Sequence, residues 1–221
     1  MLSVPSAVIF DMDGVLVDSE PLWRRAMIRG FAEAGISITE DECRSTQGTR
    51  FREVVLYWLS LRGKPGLEPK PLENRIVEHL MDLIRKEGQS MAGIPEVLHY
   101  CASRQVPMGL ATSSSHSLMN CVLDQLRIRP YFRAAISAEF MPYGKPHPEV
   151  FLRCAEAMEI EPSDCLVLED SVNGVIAARA AQMTVLAMPD PDHRNRPEFV
   201  LAHHRVEYSK DLPAFFKTLF P

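Results

Sequence analysis

From Pro95 to Met188 the chain alternates short apolar runs with amphipathic stretches at helical spacing, and this alternation constrains its fold more than any other feature. The pattern predicts helices over 95–104, 117–126, 148–158 and 172–182. Between them it predicts strands over 107–112, 134–138, 165–168 and 184–188. Strands that alternate with helices build βαβ units, hence a parallel sheet with helices on both faces.

A further apolar run, Ala7 to Phe10, reads as a buried strand of the same set, yet a long helical block separates it from the others. Ser19 can cap a first helix carrying Pro21 in its opening turn, with Leu22, Ala26, Met27, Phe31 and Ala34 on one face up to Gly35. Thr39 and Glu42 can form a capping box for a short helix. After a break at Gly48, Phe51 to Leu61 describe another helix ending at Gly63. The turn Lys64-Pro65-Gly66 leads to a helix on which Leu72, Ile76, Leu80, Leu83 and Ile84 form the apolar face, ending at Gly88. The expected fold is α/β, a doubly wound parallel sheet with an inserted α-helical cap. Residues 1–17 and 90–221 form the core domain, and 18–89 the cap.

Composition bounds the function. The 221 residues are 46% apolar and 24% charged with a formal net charge of −5, which offers no footprint for nucleic acid. Five cysteines, an odd number without a CxxC, read as free thiols in a reducing compartment. No signal-like N-terminus or membrane-length apolar run occurs, so a cytoplasmic protein without membrane association is expected. The tail from Pro189, with Asp190, Asp192, His193 and the pair His203-His204, reads as a solvated loop rather than a metal site, closing with a helix over 212–220.

Chemistry gathers at strand ends. Asp11 and Asp13 follow the first strand, and Gly14 lets the chain turn away. Two carboxylates so close repel, so a site there needs a cation, a shared proton, or both; an Asp-rich turn is the structural alternative. Thr112-Ser113-Ser114-Ser115 leads into a helix, where hydroxyls and amide N–H groups can hold a phosphate or simply cap the helix. Lys145 lies between Gly144 and Pro146 on a constrained loop, and Glu169-Asp170 end another strand, where Asp170 can also be a helix cap. Together these residues supply hard oxygen ligands suited to Mg²⁺, plus a cation and donors for phosphate. No GxGxxG, P-loop or serine-elbow motif is present.

With Asp11-Met12-Asp13-Gly14-Val15-Leu16-Val17-Asp18-Ser19, Thr112, Gly144-Lys145-Pro146-His147-Pro148-Glu149 and Leu168-Glu169-Asp170-Ser171-Val172-Asn173-Gly174 in this order, the chain resembles the haloacid dehalogenase superfamily over essentially its whole length. More closely it resembles the β-phosphoglucomutase-like sugar-phosphatase branch, of the 2-deoxyglucose-6-phosphate and hexitol phosphatase type. The resemblance implies that Asp11 is a nucleophile forming an aspartyl-phosphate and that Asp13 is the acid/base. It also implies Mg²⁺ held by Asp11, Asp170 and the Asp13 backbone carbonyl, and phosphate held by Lys145, Thr112 and the Ser113 amide. Glu169 would hold a metal-bound water and Asn173 would brace its loop. In the cap, Trp23 and Arg50 are candidate substrate contacts, with the choice between Arg50 and Arg52 left open.

The implied substrate is a small sugar or polyol phosphate, and a monomer is expected. Trp23 stands where the phosphomutases of the branch carry a histidine, which favours a hydrolase over a mutase. A phosphoacceptor signalling domain would need neither a cap-length insertion nor Asp13 two residues after Asp11. A dehalogenase would not need the Asp13 acid or the Mg²⁺ set. A phosphonatase would need a cap lysine for a Schiff base, and Lys64 and Lys70 read as linker residues.

Overall fold

The computed structural model describes residues 4–46, 49–63 and 66–221. The expected break at Gly48 and the Lys64-Pro65 part of the turn lie outside the described residues.

The strands are β1 (Ala7–Phe10), β2 (Met108–Thr112), β3 (Ala134–Ser137), β4 (Cys165–Glu169), β5 (Thr184–Ala187) and β6 (His204–Arg205). Every residue of β1 is buried, and its side chains alternate between two cores. Val8 and Phe10 enter one core, Ala7 and Ile9 the other. A strand apolar on both faces belongs inside a parallel sheet. β1 indeed lies between β2 and β4 in the order β3-β2-β1-β4-β5-β6, with every pairing parallel.

Helices α5 (Ile94–Ser103), α6 (His116–Gln125) and α9 (Leu212–Leu219) cover the Val8 and Phe10 face, where Phe10 stacks on Phe216 at 6.5 Å between centroids. Helices α7 (Glu149–Met158) and α8 (Val172–Ala180) cover the other face. The sheet is doubly wound, as the alternating pattern requires.

Between β1 and α5 stand α1 (Glu20–Glu33), α2 (Glu40–Ser45), α3 (Phe51–Arg62) and α4 (Pro69–Glu87). α1 and α4 pack closely because Gly30 has no Cβ to strike the side chain of Ile76. The chain enters and leaves this helical block side by side. Asp18 N donates to the Gln89 carbonyl at 3.0 Å, and Val17 bridges Ser90 in antiparallel fashion.

Local expectations fared unevenly. Thr39 and Glu42 form the capping box. Ser19 sits at the N-cap of α1 but makes no side-chain cap bond; its hydroxyl is committed elsewhere, to Asp13 at 2.7 Å. The tail is not merely a loop, since His204 lies in β6 and a 3-10 helix spans Pro197–Leu201. A two-residue strand carries no periodic signal; the edge of β5 recruits it through His203 N to the Val185 carbonyl and Val206 N to the Ala187 carbonyl, each 3.0 Å. All five cysteines are free, and all but Cys121 are buried. No described helix is long and apolar enough to cross a membrane.

Candidate active site

The chain winds from β1 through β2 to β3 on one side, then returns to β4, β5 and β6 on the other. Strand order therefore reverses at β1, and ligands of open α/β sheets bind in the crevice beyond the carboxyl ends of the strands at such a point. Asp11 is the first residue past β1, 7% exposed. Lys145, from the loop between β3 and α7, places Nζ 2.7 Å from Asp11 Oδ1 and also contacts Glu169 Oε1 and the ring of Phe151.

Asp170 follows β4 directly. Gly14, at φ +71, makes room for it, because a Cβ there would run into the Asp170 carboxylate. Ser171, not Asp170, caps α8, its hydroxyl accepting from Gly174 N at 3.0 Å. Asp170 is thus spared for other work. Carboxylate oxygens of Asp11, Glu169 and Asp170 lie within 4.8 Å of one another. Among the described residues, three buried carboxylates face one buried ammonium.

Burial, together with Glu169 and Asp13 and against the pull of Lys145, raises the Asp11 carboxyl to about 7. Burial likewise lifts Asp170 well above the carboxylate range, helped by Glu169 and Asp11. For Lys145 burial opposes the charge, but Asp11 and Glu169 outweigh it and raise its pKa above the usual lysine value. A cation beside the acids would favour their charged forms against the burial and repulsion that raise these pKa values.

Asp13 is held from two directions. Ser19 Oγ and Trp23 Nε1 donate to Oδ1 at 2.7 and 3.0 Å, and Ser114 Oγ donates to Oδ2 at 2.7 Å. Trp23 packs on Phe51 at 4.8 Å between centroids. Thr112 ends β2, 1% exposed, with Oγ1 accepting from Ser114 N at 3.0 Å.

These groups open onto a cavity of about 770 Å³ enclosed by the sheet edge and the inserted helices. Asp11, Asp13, Trp23, Arg50, Arg52, Thr112, Ser113, Lys145, Asp170 and Asn173 all line it. Arg50 crosses to the opposite lip, with Nη2 3.5 Å from the Met141 carbonyl and Cδ 3.3 Å from where a Cβ on Gly144 would be. Glu169 is the exception: it is wholly buried behind the wall. Its Oε1 meets Lys145, and its Oε2 accepts from Asp170 N at 3.1 Å and from Ser171 N and Oγ at 3.0 Å each.

Ser114, one of a serine run in the sequence, lines the cavity, whereas Ser19, which the sequence offers as a helix cap, is buried behind Asp13. Glu20 lines the cavity and is raised to about 8 by burial, with Asp13 and Asp190 adding to the effect. Asp190, His193 and Arg196 also line it, so this part of the tail, expected as a solvated loop, borders the cavity. The available signal was the end of β5, whose following loop must emerge at the same sheet edge.

The family model for the hydrolases described as haloacid dehalogenase-like matches residues 5–182. The chain belongs to that family. Within this haloacid dehalogenase-like group it is 37% identical over 209 residues to hexitol phosphatase B of Escherichia coli strain K12, covering 94% of each chain. It is 34% identical over 176 residues to a phosphorylated carbohydrates phosphatase of Thermotoga maritima, covering 79% of this chain and 81% of that one. The crystal structure of CbbY from Rhodobacter sphaeroides in complex with phosphate superposes with a TM-score of 0.87 at 23% identity, covering 94% of this chain and 96% of that one. At that identity the likeness is one of fold.

Proposed function

We propose that this haloacid dehalogenase-like hydrolase is a Mg²⁺-dependent phosphatase of small sugar or sugar-alcohol phosphates. The observation that carries the reading is the buried set of Asp11, Lys145 and Asp170 at the sheet's switch point, facing a cavity large enough to admit a small phosphorylated metabolite. The names of the two enzyme relatives, a hexitol phosphatase and a phosphorylated carbohydrates phosphatase, support the same class.

The donor set fits a hard divalent cation. Asp11 and Asp170 are oxygen ligands, their carboxyls are raised chiefly by burial and further by neighbouring acids, which a bound cation would offset, and the Gly14 cradle admits Asp170 beside the first strand. Mg²⁺ bound by Asp11, Asp170 and the Asp13 carbonyl would supply charge neutralisation for the carboxylates and the phosphate oxygens. Glu169 spends both oxygens on Lys145 and the chain after β4, so its role is to hold those groups in place.

The remaining steps belong to the chain. A carboxylate oxygen of Asp11 attacks phosphorus, the P–O bond to the alcohol breaks, and Asp13 gives the departing oxygen a proton. Asp13 then takes a proton from the water that attacks the aspartyl-phosphate, releasing phosphate and restoring Asp11. Lys145, the Thr112 hydroxyl and the Ser113 amide hold the phosphoryl oxygens. The helical block 18–89 acts as a cap over the core formed by 1–17 and 90–221, and it excludes bulk water from the intermediate.

The test is a phosphate-release screen over hexitol, hexose, glycolyl and nucleoside phosphates, with Mg²⁺ and with chelator. Turnover of hexitol or hexose phosphates that chelator abolishes, and that Asp11→Asn lacks, is expected. Turnover by Asp11→Asn at the wild-type rate would sink the nucleophile assignment.

A further inference from the structure

Helix α4 presents two different stripes. Leu72, Ile76, Leu80 and Ile84 repeat every four residues and are buried, as a core-facing helix requires. Lys70, Glu73, Asn74, Val77, Glu78 and Met81 follow the 3,4 spacing of a second face, and all of them line the active-site cavity.

Glu73 is the anomaly on that second face. It is only 7% exposed, its Oε1 meets no hydrogen-bond donor among the described residues, and its Oε2 stands 3.7 Å from Nζ of an exposed Lys70. An acceptor buried without a donor is destabilising, because it has given up its bonds to water and gained none in return. Oε1 itself is closed to solvent, but acceptor capacity left unspent on a side chain that lines a substrate cavity points to a donor that arrives with the substrate and is met by a turn of the carboxylate.

We propose that Glu73 is a specificity-determining residue that accepts a hydrogen bond from a hydroxyl at the end of the substrate remote from the phosphate. The class selected is a monophosphorylated polyol or sugar with an uncharged distal end. This rests on the phosphatase reading and deepens it. Charges of both signs line the rest of the cavity, with Arg24 and Arg50 set among Glu78 and Asp190. A hydroxyl both donates and accepts, so a neutral polyol can satisfy such walls at many points. A second phosphate brought against Glu73 would meet a like charge in a low-dielectric pocket, which selects against bisphosphates. Val77 and Met81 supply apolar surface for the C–H faces of the chain or ring.

The test compares wild type, Glu73→Met and Glu73→Gln on sorbitol 6-phosphate, fructose 1,6-bisphosphate and p-nitrophenyl phosphate, the last having no distal hydroxyl. Glu73→Met, of similar volume, should lower kcat/KM for sorbitol 6-phosphate by about 10-fold or more, chiefly through KM. It should leave p-nitrophenyl phosphate within about twofold and narrow the preference against the bisphosphate. Glu73→Gln, which keeps an acceptor oxygen, should fall between. Equal losses on sorbitol 6-phosphate and p-nitrophenyl phosphate, or no loss on either, overturn the proposal. If the wild type releases phosphate from none of them, the phosphatase reading fails on its own. Glu73 is then judged by calorimetric titration of sorbitol 6-phosphate into wild type and Glu73→Met, where equal affinities overturn it.

Discussion

The indole nitrogen of Trp23 lies 3.0 Å from Oδ1 of Asp13, so a helix of the inserted block touches the proposed acid/base directly. Ser114 holds the other oxygen at 2.7 Å from the loop after β2. The carboxylate is therefore oriented jointly by the helical block and the sheet.

Trp23→Phe keeps a ring against Phe51 but removes the N–H. Hydrogen bonds to charged groups contribute about 1.5–3 kcal/mol, so kcat should fall by about 10-fold or more with KM little changed. Steady-state kinetics on one phosphate ester reads this split. A loss confined to KM would return Trp23 to a substrate contact.

Lys145→Met leaves Asp11 buried with Glu169 and Asp170 and no ammonium between them. Removing one partner of a buried pair costs about 3–5 kcal/mol. The loss should be larger at pH 8 than at pH 5, where Asp11 and Asp170 can shed their charge by taking protons. Urea unfolding at the two pH values measures it.

Gly14→Ala forces a side chain into φ +71 and into the Asp170 carboxylate. Strain of this kind costs about 1–3 kcal/mol. Displacement of Asp170 should weaken Mg²⁺ binding more than it weakens the fold. Calorimetric Mg²⁺ titration beside thermal unfolding separates the two; unchanged Mg²⁺ affinity would remove Asp170 from the metal set.

In the metal-free protein the Asp11 carboxyl is raised from 3.8 to about 7, chiefly by burial. The folded state then holds a proton that the unfolded state has released, so this group's contribution is full below its unfolded pKa and is lost as pH rises towards 7. Mg²⁺ needs the deprotonated form and should restore that loss. The Mg²⁺-induced rise in Tm should accordingly be larger at pH 8 than at pH 5.5, read by scanning calorimetry with Mg²⁺ against EDTA. A rise that shrinks with pH would contradict metal binding at Asp11.

Legibility in the sequence followed the range of the interactions. β1, β2, β4 and β5 could be read because four or five consecutive apolar residues have few other places to go. The capping box at Thr39 was readable because both of its partners lie three residues apart. Ser19 misled for the same local reason: a serine before a helix looks like a cap, but its hydroxyl turns six residues back to Asp13. β6 escaped because its pairing comes wholly from the exposed edge of β5.

By itself, the sequence determined a parallel α/β sheet interrupted by helices after the first strand, and it placed Asp11, Thr112 and Asp170 at strand ends and Lys145 on a constrained loop before a helix. Hydrophobic periodicity and chain direction suffice for that, since both are local. Only the tertiary structure decided that Lys145 bridges Asp11 and Glu169 and that Trp23 and Ser114 share Asp13. It alone turned one stripe of α4, and the loop after β5, towards the same cavity. These relationships join residues ten to more than a hundred positions apart, and their geometry is set by packing of whole elements, which no local pattern encodes.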